Sequence, residues 1–329
     1  MSNCIGCGSK LQNIDSKIEG YTKSLDRTLC ERCFRIKHYN DYKFIIKNNN
    51  DFIDILKNVG SKDDLVVLVI DLFNLNNSLN EIYKYIKNDV LLVLSKRDIL
   101  PKSVYDENLI SYFKYLKLNI IDIVIISSKK NYNFDLLYSK INQYKKSNNV
   151  YVIGYTNAGK STMINKILYN YSNSDINITT SNLPSTTINS ITVKVNDDLT
   201  LIDTPGLLNL DDIINYLDKN LIEKIIPSKE IKPVTYQIKT NQTIIIEDIL
   251  RIDCNSATNL TFYMSNRLKY ERLYKESNRL IDLKRHDLKV PKDSDIVIQG
   301  LGFIHVTHDS NIIVYIREGV SVYCRESLI

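Results

Sequence analysis

Apolar and polar positions follow two regimes along the chain. From about residue 61 to residue 225, short unbroken aliphatic runs alternate with stretches of helical period. The runs are 65–70, 91–94, 123–126, 150–153, 191–194 and 199–202. The helical stretches are about 78–87, 103–117, 133–146 and 160–170, preceded by a shorter one at 51–59. Continuous aliphatic strands between amphipathic helices predict a mostly parallel six-stranded sheet covered on both faces. The last two runs are separated only by Val195-Asn196-Asp197-Asp198, a hairpin signal, so one antiparallel edge is expected. A helix over about 211–224 follows. Beyond Pro227, runs rich in Ile, Val and Tyr recur at 234–239, 243–247, 260–264, 295–298, 303–306, 312–316 and 320–324, with one helical stretch at about 266–283. This predicts a small β-rich domain with one helix.

Composition changes this picture little. The 329 residues are 43% apolar and 25% charged, ordinary for a globular chain of about two domains. The longest strand-like apolar run has six residues, 65–70, far short of the ~20 that a spanning helix needs. No basic-then-apolar leader opens the sequence, so a cytoplasmic protein with no membrane partner is expected. The net charge of +5 proves no nucleic-acid partner. It is concentrated in residues 1–47, with nine Lys/Arg against five Asp/Glu, and in residues 265–289, with eight against four. Either surplus is accounted for by a solvated face.

Four of the six cysteines form two C-x-x-C pairs, Cys4/Cys7 and Cys30/Cys33, with 22 residues between the pairs. In a reducing compartment this pattern points to metal rather than disulfides. Two such turns complete a tetrahedral four-thiolate site, the structural geometry for Zn²⁺, with a redox dithiol and an iron–sulfur cluster as lesser readings. Zinc with four thiolates carries two negative charges, so an anion-binding face here rests on local clustering such as Arg32, Arg35, Lys37 and His38. Cys254 and Cys324 stand alone and read as buried thiols.

The strongest chemical signal is Gly154-Tyr155-Thr156-Asn157-Ala158-Gly159-Lys160-Ser161, which matches G-x-x-x-x-G-K-[ST] between a strand and a helix beginning near Thr162. The glycines let backbone amides wrap a β- and a γ-phosphate, Lys160 adds a point charge, and Ser161 is placed to ligate Mg²⁺. Asp203-Thr204-Pro205-Gly206 ends the strand at 199–202, as D-x-x-G requires. Its Asp203 can reach the Mg²⁺ shell and the Gly206 amide a γ-phosphate. Between the two motifs, Thr187 of Pro184-Ser185-Thr186-Thr187 is preferred over Thr186 as a switch hydroxyl closing onto Mg²⁺. A polar loop is the plain reading of that segment.

Ser95-Lys96-Arg97-Asp98 resembles the guanine-reading N-K-x-D element. A carboxylate at Asp98 accepts from guanine N1–H and N2–H₂ together, a donor pair that adenine lacks. Lys96 lays its stem along the base. Ser127-Ser128-Lys129 resembles the S-A-K element, whose backbone amide meets guanine O6. In Ras-like GTPases these two elements come last; here they come first. Joining the old termini through about 134–149 and cutting after D-x-x-G reproduces the present order, a circular permutation that preserves the fold.

With that order the chain resembles the circularly permuted GTPases of ribosome assembly, and within them the YqeH type. Further likeness lies in Ile231-Lys232-Pro233…Tyr236 and in Asp295-Ile296-Val297…Gly300-Leu301-Gly302. The resemblance implies an α/β fold with three parts: a four-cysteine zinc finger (1–47), a permuted Ras-like G domain (48–228) and a C-terminal β-rich domain (229–329) that binds RNA or the ribosome. It implies GTP and GDP as ligands with Mg²⁺, hydrolysis of GTP, and the small ribosomal subunit and its RNA as partners. Two departures stand out. Ser95 replaces the usual Asn, losing an amide that helps guanine N7 and ties to the phosphate loop, and Ser128 replaces Ala. Leu207 occupies the place after D-x-x-G where many such enzymes keep a water-orienting Gln, so slow intrinsic turnover is expected. Asn157 resembles a potassium ligand of related GTPases. The catalytic set is then Lys160, Asn157, Thr187 and Gly206. The rival readings are a zinc-ribbon RNA-binding protein with a vestigial nucleotide site and a metabolic P-loop enzyme such as a nucleotide kinase.

Overall fold

The computed structural model describes residues 4, 10–15, 20–31, 34, 49–75, 82, 84–115, 120–172, 190–207, 209–275 and 277–329. Cys7, Cys33, Thr186, Thr187, the cations Arg32, Arg35, Lys37 and His38, and residues 78–81 and 83 of the helix expected at 78–87 lie outside them. By internal contacts the chain forms two units. One gathers residues 1–71, 77–96 and 118–208, and the other residues 72–76, 97–117 and 209–329. This division crosses the chain more often than the three-part sequence reading does.

The first unit is built on six strands: β1 (Leu65–Asp71), β2 (Val90–Ser95), β3 (Ile120–Ile125), β4 (Asn149–Gly154), β5 (Ile191–Asn196) and β6 (Leu199–Asp203). Their order is β3-β2-β1-β4-β6-β5, and every pairing is parallel except β5 with β6. The hairpin turn falls where the Asn-Asp-Asp signal placed it. Every residue of β1 and β2 is buried. Their lack of alternation is therefore required by two covered faces. Helices α1 (Asn49–Gly60), α3 (Phe134–Tyr144) and α4 (Lys160–Tyr171) accompany the sheet. Met163, Ile164 and Ile167 of α4 join Phe134, Leu137 and Ile141 of α3 in the same core as Val67, Val152 and Leu201. β4 lies near the middle of the sheet, so the loop that leaves it meets the ends of β1 and β6.

The second unit holds α2 (Asp106–Tyr115), a 3₁₀ turn (Ile213–Tyr216), α5 (Lys219–Ile225) and ten strands. These are β7 (Val234–Ile238), β8 (Gln242–Ile246), β9 (Leu250–Cys254), β10 (Thr258–Met264), β11 (Tyr270–Leu273), β12 (Lys284–Val290), β13 (Ser294–Ile298), β14 (Gly302–Val306), β15 (Ser310–Ile316) and β16 (Val322–Glu326). They make two antiparallel sheets, β16-β13-β14-β10-β7 and β11-β8-β9-β15-β12, whose apolar faces share one core.

Several sequence expectations are corrected here. The helix expected at 266–283 is absent. Strand β11 pairs Tyr270 through Leu273 with Ile246 through Thr243, and Leu280 takes a positive φ of 59°, which no helix tolerates. Charges spaced three and four apart imitate a helical face, but Tyr270 packs into the sandwich core and the free edge of β8 supplies the hydrogen bonds. The single helix expected at 211–224 is two short pieces. Asp212 accepts from the Ile214 amide and caps the first, and Asp218 accepts from the Leu221 amide and caps the second. Strands β9 and β12 carry charges that concealed them. In β9, Arg251 and Asp253 are both buried and paired side chain to side chain, with Thr243 donating to the same carboxylate at 2.7 Å and Arg251 lying 4.3 Å over the Tyr315 ring. Cys254 is buried, and desolvation pushes its thiol up to about 12, whereas Cys324 is only half-buried.

Within this second unit a polar knot fixes residues that follow β1 and the D-x-x-G segment. Asn74, three positions after β1, donates to Asp212 Oδ2 at 2.8 Å and accepts from the Gly300 amide at 3.0 Å and from the Gln299 side chain. Tyr323 donates to the Leu75 carbonyl, and the Ile213 amide to the Gln299 carbonyl. Gly300 has φ +84°, and a Cβ there would lie 1.8 Å from an Asp212 carboxylate oxygen, so no other residue fits.

Candidate nucleotide site

Gly154 leaves β4 with φ +148°, and a Cβ on it would meet the Val69 carbonyl of β1 at 2.3 Å. Asn157 (φ 62°) and Gly159 (φ 95°) turn the loop back so that α4 starts at Lys160. Residues able to adopt positive φ therefore stand where the loop needs them. Lys160 is only 6% exposed, and its Nζ donates to the Gly154 and Tyr155 carbonyls at 3.0 Å each. Burial pulls the ammonium down to about 8, against the opposing attraction of Asp203. The loop thus holds a cation in a dry cradle, where a phosphate would be far more strongly attracted than in water.

Next to it, Ser161 Oγ donates to Asp203 Oδ2 at 3.3 Å. A hydroxyl and a buried carboxylate at a helix N-terminus form a hard oxygen donor set that suits Mg²⁺. Thr204 is locked to β4, its amide and hydroxyl both donating to the Val152 carbonyl. The loop and the D-x-x-G segment are paired directly: the Thr156 amide donates to the Leu207 carbonyl at 2.9 Å and the Leu207 amide to the Gly154 carbonyl at 3.2 Å. A Cβ on Gly206 would lie 2.8 Å from Lys160 Nζ and 2.9 Å from the Thr156 amide, so glycine is required. Ala158 is buried, while Asn157 and Thr162 are exposed. The positive φ of Asn157 is in itself a reason for asparagine there.

The base motif assembles in part around the same loop. Ser95 is buried at the end of β2, with its Oγ 2.5 Å from the Ala158 carbonyl and 3.1 Å from that of Ile70. The tie to the phosphate loop expected to disappear with the missing Asn amide is therefore kept by a hydroxyl, which corrects that expectation. Lys96 adopts φ 62°, and its Nζ lies 2.8 Å from Asp71 Oδ2 at the end of β1. Asp98 is half-buried in the turn after β2. The loop beyond it is braced by Arg97, which donates to the Asp106 carboxylate at 2.5 Å and to the Leu100 and Val104 carbonyls. After β3, Ser127 is buried, accepts from the Lys130 amide at 3.1 Å and exchanges backbone bonds with Tyr132, so Ser128 and Lys129 ride on a closed turn. Sequence reading missed Asp71, Arg97 and Asp106. An acidic residue at the end of a buried aliphatic strand was the visible signal for the first.

At the N-terminus, Cys4 and Cys30 are buried with Leu11, and the Cys30 amide donates to Cys4 Sγ at 3.2 Å. An amide turned onto sulfur suits a thiolate ligand. Among the described residues there is no cluster of three or more metal-ligating side chains, and Cys7 and Cys33 lie outside them. No described helix is long and apolar enough to cross a membrane.

Comparison with known proteins agrees with this geometry. A family model described as RsgA GTPase matches residues 47–212, one described as YqeH-like, C-terminal, matches 272–328, and one described as 50S ribosome-binding GTPase matches 149–280. YqeH of Bacillus subtilis is 34% identical over 99% of both chains. NO-associated protein 1 of Arabidopsis thaliana is 23% identical over the whole of this chain and 76% of its own length. GTPase Der of Clostridium botulinum is 34% identical over 37% of this chain and 28% of its own.

The depressed Lys160 ammonium predicts a proton linkage. A bound phosphate stabilises the charged form and returns its pKa towards or above the ordinary 10.5. Nucleotide binding should then take up about three-quarters of a proton at pH ~8.5 and only about a tenth at pH ~7, and affinity should fall as pH rises above about 8. Calorimetry in buffers of different ionisation enthalpy reads this directly. Binding at pH ~8.5 without proton uptake would show that Lys160 is already fully charged in the empty loop.

Proposed function

We infer the function of this chain from its place among the YqeH-type circularly permuted GTPases, the family to which it belongs. It is a GTP hydrolase of the P-loop class. The observation that carries the site assignment is the cluster of Lys160, Ser161, Asp203 and Gly206 at the start of α4. It supports a β- and γ-phosphate held by the loop amides and Lys160, with Mg²⁺ on Ser161 and Asp203. Thr187 is proposed to join the ion only while the γ-phosphate is present.

Guanine selectivity is proposed to rest on Asp98, with the Lys96 stem on the base face and the Ser127–Lys129 turn at O6. The chain should bind GTP and GDP and discriminate against ATP. Asp98→Asn should move preference towards xanthine nucleotides, whose C2 oxygen meets an amide donor. Equal ATP and GTP affinity in the unmodified protein would refute the assignment.

Turnover is proposed to be slow without a partner, because Leu207 can neither orient water nor stabilise charge. An intrinsic rate on the order of 10⁻⁴ to 10⁻² s⁻¹ is expected. Asn157, exposed on the loop, is proposed to hold a potassium ion where an arginine finger stands in other GTPases. Turnover should rise when potassium replaces sodium, and Asn157→Gly, which keeps the positive φ, should abolish the rise. Identical rates in both salts would remove potassium from the mechanism.

We further propose that the protein acts in the cytoplasm in assembly of the small ribosomal subunit, contacting its RNA, with Cys4, Cys7, Cys30 and Cys33 holding one Zn²⁺. Support comes from the family, the cysteine spacing and the amide–sulfur bond. For the RNA face the cations of 265–289 are not equal. Arg279 is paired with Glu271 and Asp248, and Arg285 with Asp287, while Arg267 and Arg272 donate to backbone and glutamine oxygens. Lys269, Lys275 and Lys284 are exposed and form no ion pair among the described residues. They are proposed to meet RNA phosphates, with strong salt dependence. The purified chain should contain about one zinc per molecule and sediment with 30S particles, with a fivefold or larger affinity difference between GDP and a non-hydrolysable GTP analogue. Reversal of those three lysines should reduce it. Iron in place of zinc, pelleting with 50S particles alone, or indifference to charge reversal would each overturn the corresponding part.

A further inference from the structure

We propose that Asp71 is the positioning residue of the guanine-reading arm. It fixes the Lys96 ammonium so that the lysine stem stands as one wall of the base slot before nucleotide arrives. The inference deepens the guanine reading of the site and rests on it.

Three observations carry it. Asp71 is the last residue of β1, 8% exposed, and pairs in parallel register with Ser95, which puts its carboxylate beside the first residue after β2. Lys96, that residue, reaches Asp71 Oδ2 at 2.8 Å while its side chain stays 31% exposed, so the head is held on a side chain that is not buried. Its backbone sits at φ 62°, where L side chains are rarely found, next to Ser95, whose hydroxyl is bonded to the Ala158 carbonyl. A lysine stem has four rotatable bonds, and ordering them on binding would weaken any stacking contact with the base. With its head tied to a nearly buried carboxylate, the stem is ordered in advance. The carboxylate in turn has a cation close enough to offset its burial.

An ordinary ion pair that only joins two strand ends would show in stability and not in the base-binding step. The test measures GDP and IDP affinity, GDP dissociation and the melting temperature of the nucleotide-free full chain, for the unmodified protein, Asp71→Asn, Lys96→Met and the double variant. Asp71→Asn should weaken GDP about tenfold, mainly through faster dissociation. The GDP-to-IDP ratio should stay unchanged, because Asp98 still reads the base edge. In the Lys96→Met background, Asp71→Asn should have no further effect beyond about twofold. Unchanged GDP affinity with a lowered melting temperature, additive losses in the double variant, or an altered GDP-to-IDP ratio would each overturn the proposal. Asp71→Glu serves if Asp71→Asn does not fold. It keeps the charge but displaces it by one methylene and should still loosen GDP severalfold, and GDP affinity equal to the unmodified chain would overturn the proposal. Failure of the unmodified chain to bind any guanine nucleotide would remove the guanine reading and this inference together.

Discussion

A lysine ammonium held in a dry loop is the constraint on which the rest of the nucleotide site depends. Lys160 is almost fully buried and is satisfied by two carbonyls of its own loop, an arrangement that costs enough to depress its pKa to about 8. The loop folds back over the ammonium with Gly154 and Gly159 at positive φ. Gly206 is glycine because Nζ and the Thr156 amide leave no room for a Cβ. Asp203 lies close enough to oppose the desolvation and to receive Ser161. The loop is therefore organised around positive charge before an anion arrives, which is how a preformed electrostatic site avoids reorganisation on binding.

The base side is held by short connections to that loop and to the end of β1. Ser95 bonds to Ala158, and Lys96 bonds to Asp71 at the end of the next strand. Replacing the usual Asn by Ser shortens the reach into the site but keeps the hydrogen bond to the loop backbone. The loss is thus confined to whatever the amide would have given the nucleotide.

In the second unit, buried charge is what links fold and sequence. Asp295 is fully buried and receives Arg325, Ser327, the Leu328 amide and His305. Arg325 lies 4.7 Å over the Phe303 ring and 6.0 Å from that of Tyr112 on α2. Removing one member would leave an uncompensated charge in an apolar sheet, a loss typically larger than the pair contributes when intact. The knot of Asn74, Asp212 and Gln299 works in the same way, fastening chain segments that continue from β1 and from the D-x-x-G motif.

By itself the sequence determined the six-stranded sheet with its antiparallel edge, the phosphate loop and the D-x-x-G and base motifs. Each is encoded within a few neighbouring residues, where positive-φ positions, aliphatic runs and a helix start leave little choice. Tertiary structure decided the pairings across long separations. Ser95 took over the asparagine's link to Ala158, Asp71 became the partner of Lys96, and Asn74 found Gly300. It also turned 270–273 into a strand and hid two strands behind charged letters. In those cases the local pattern was compatible with more than one outcome. A charge every third or fourth residue reads as a helix until a free strand edge competes for its backbone. An Arg and an Asp two positions apart read as exposed until the fold buries both and pairs them.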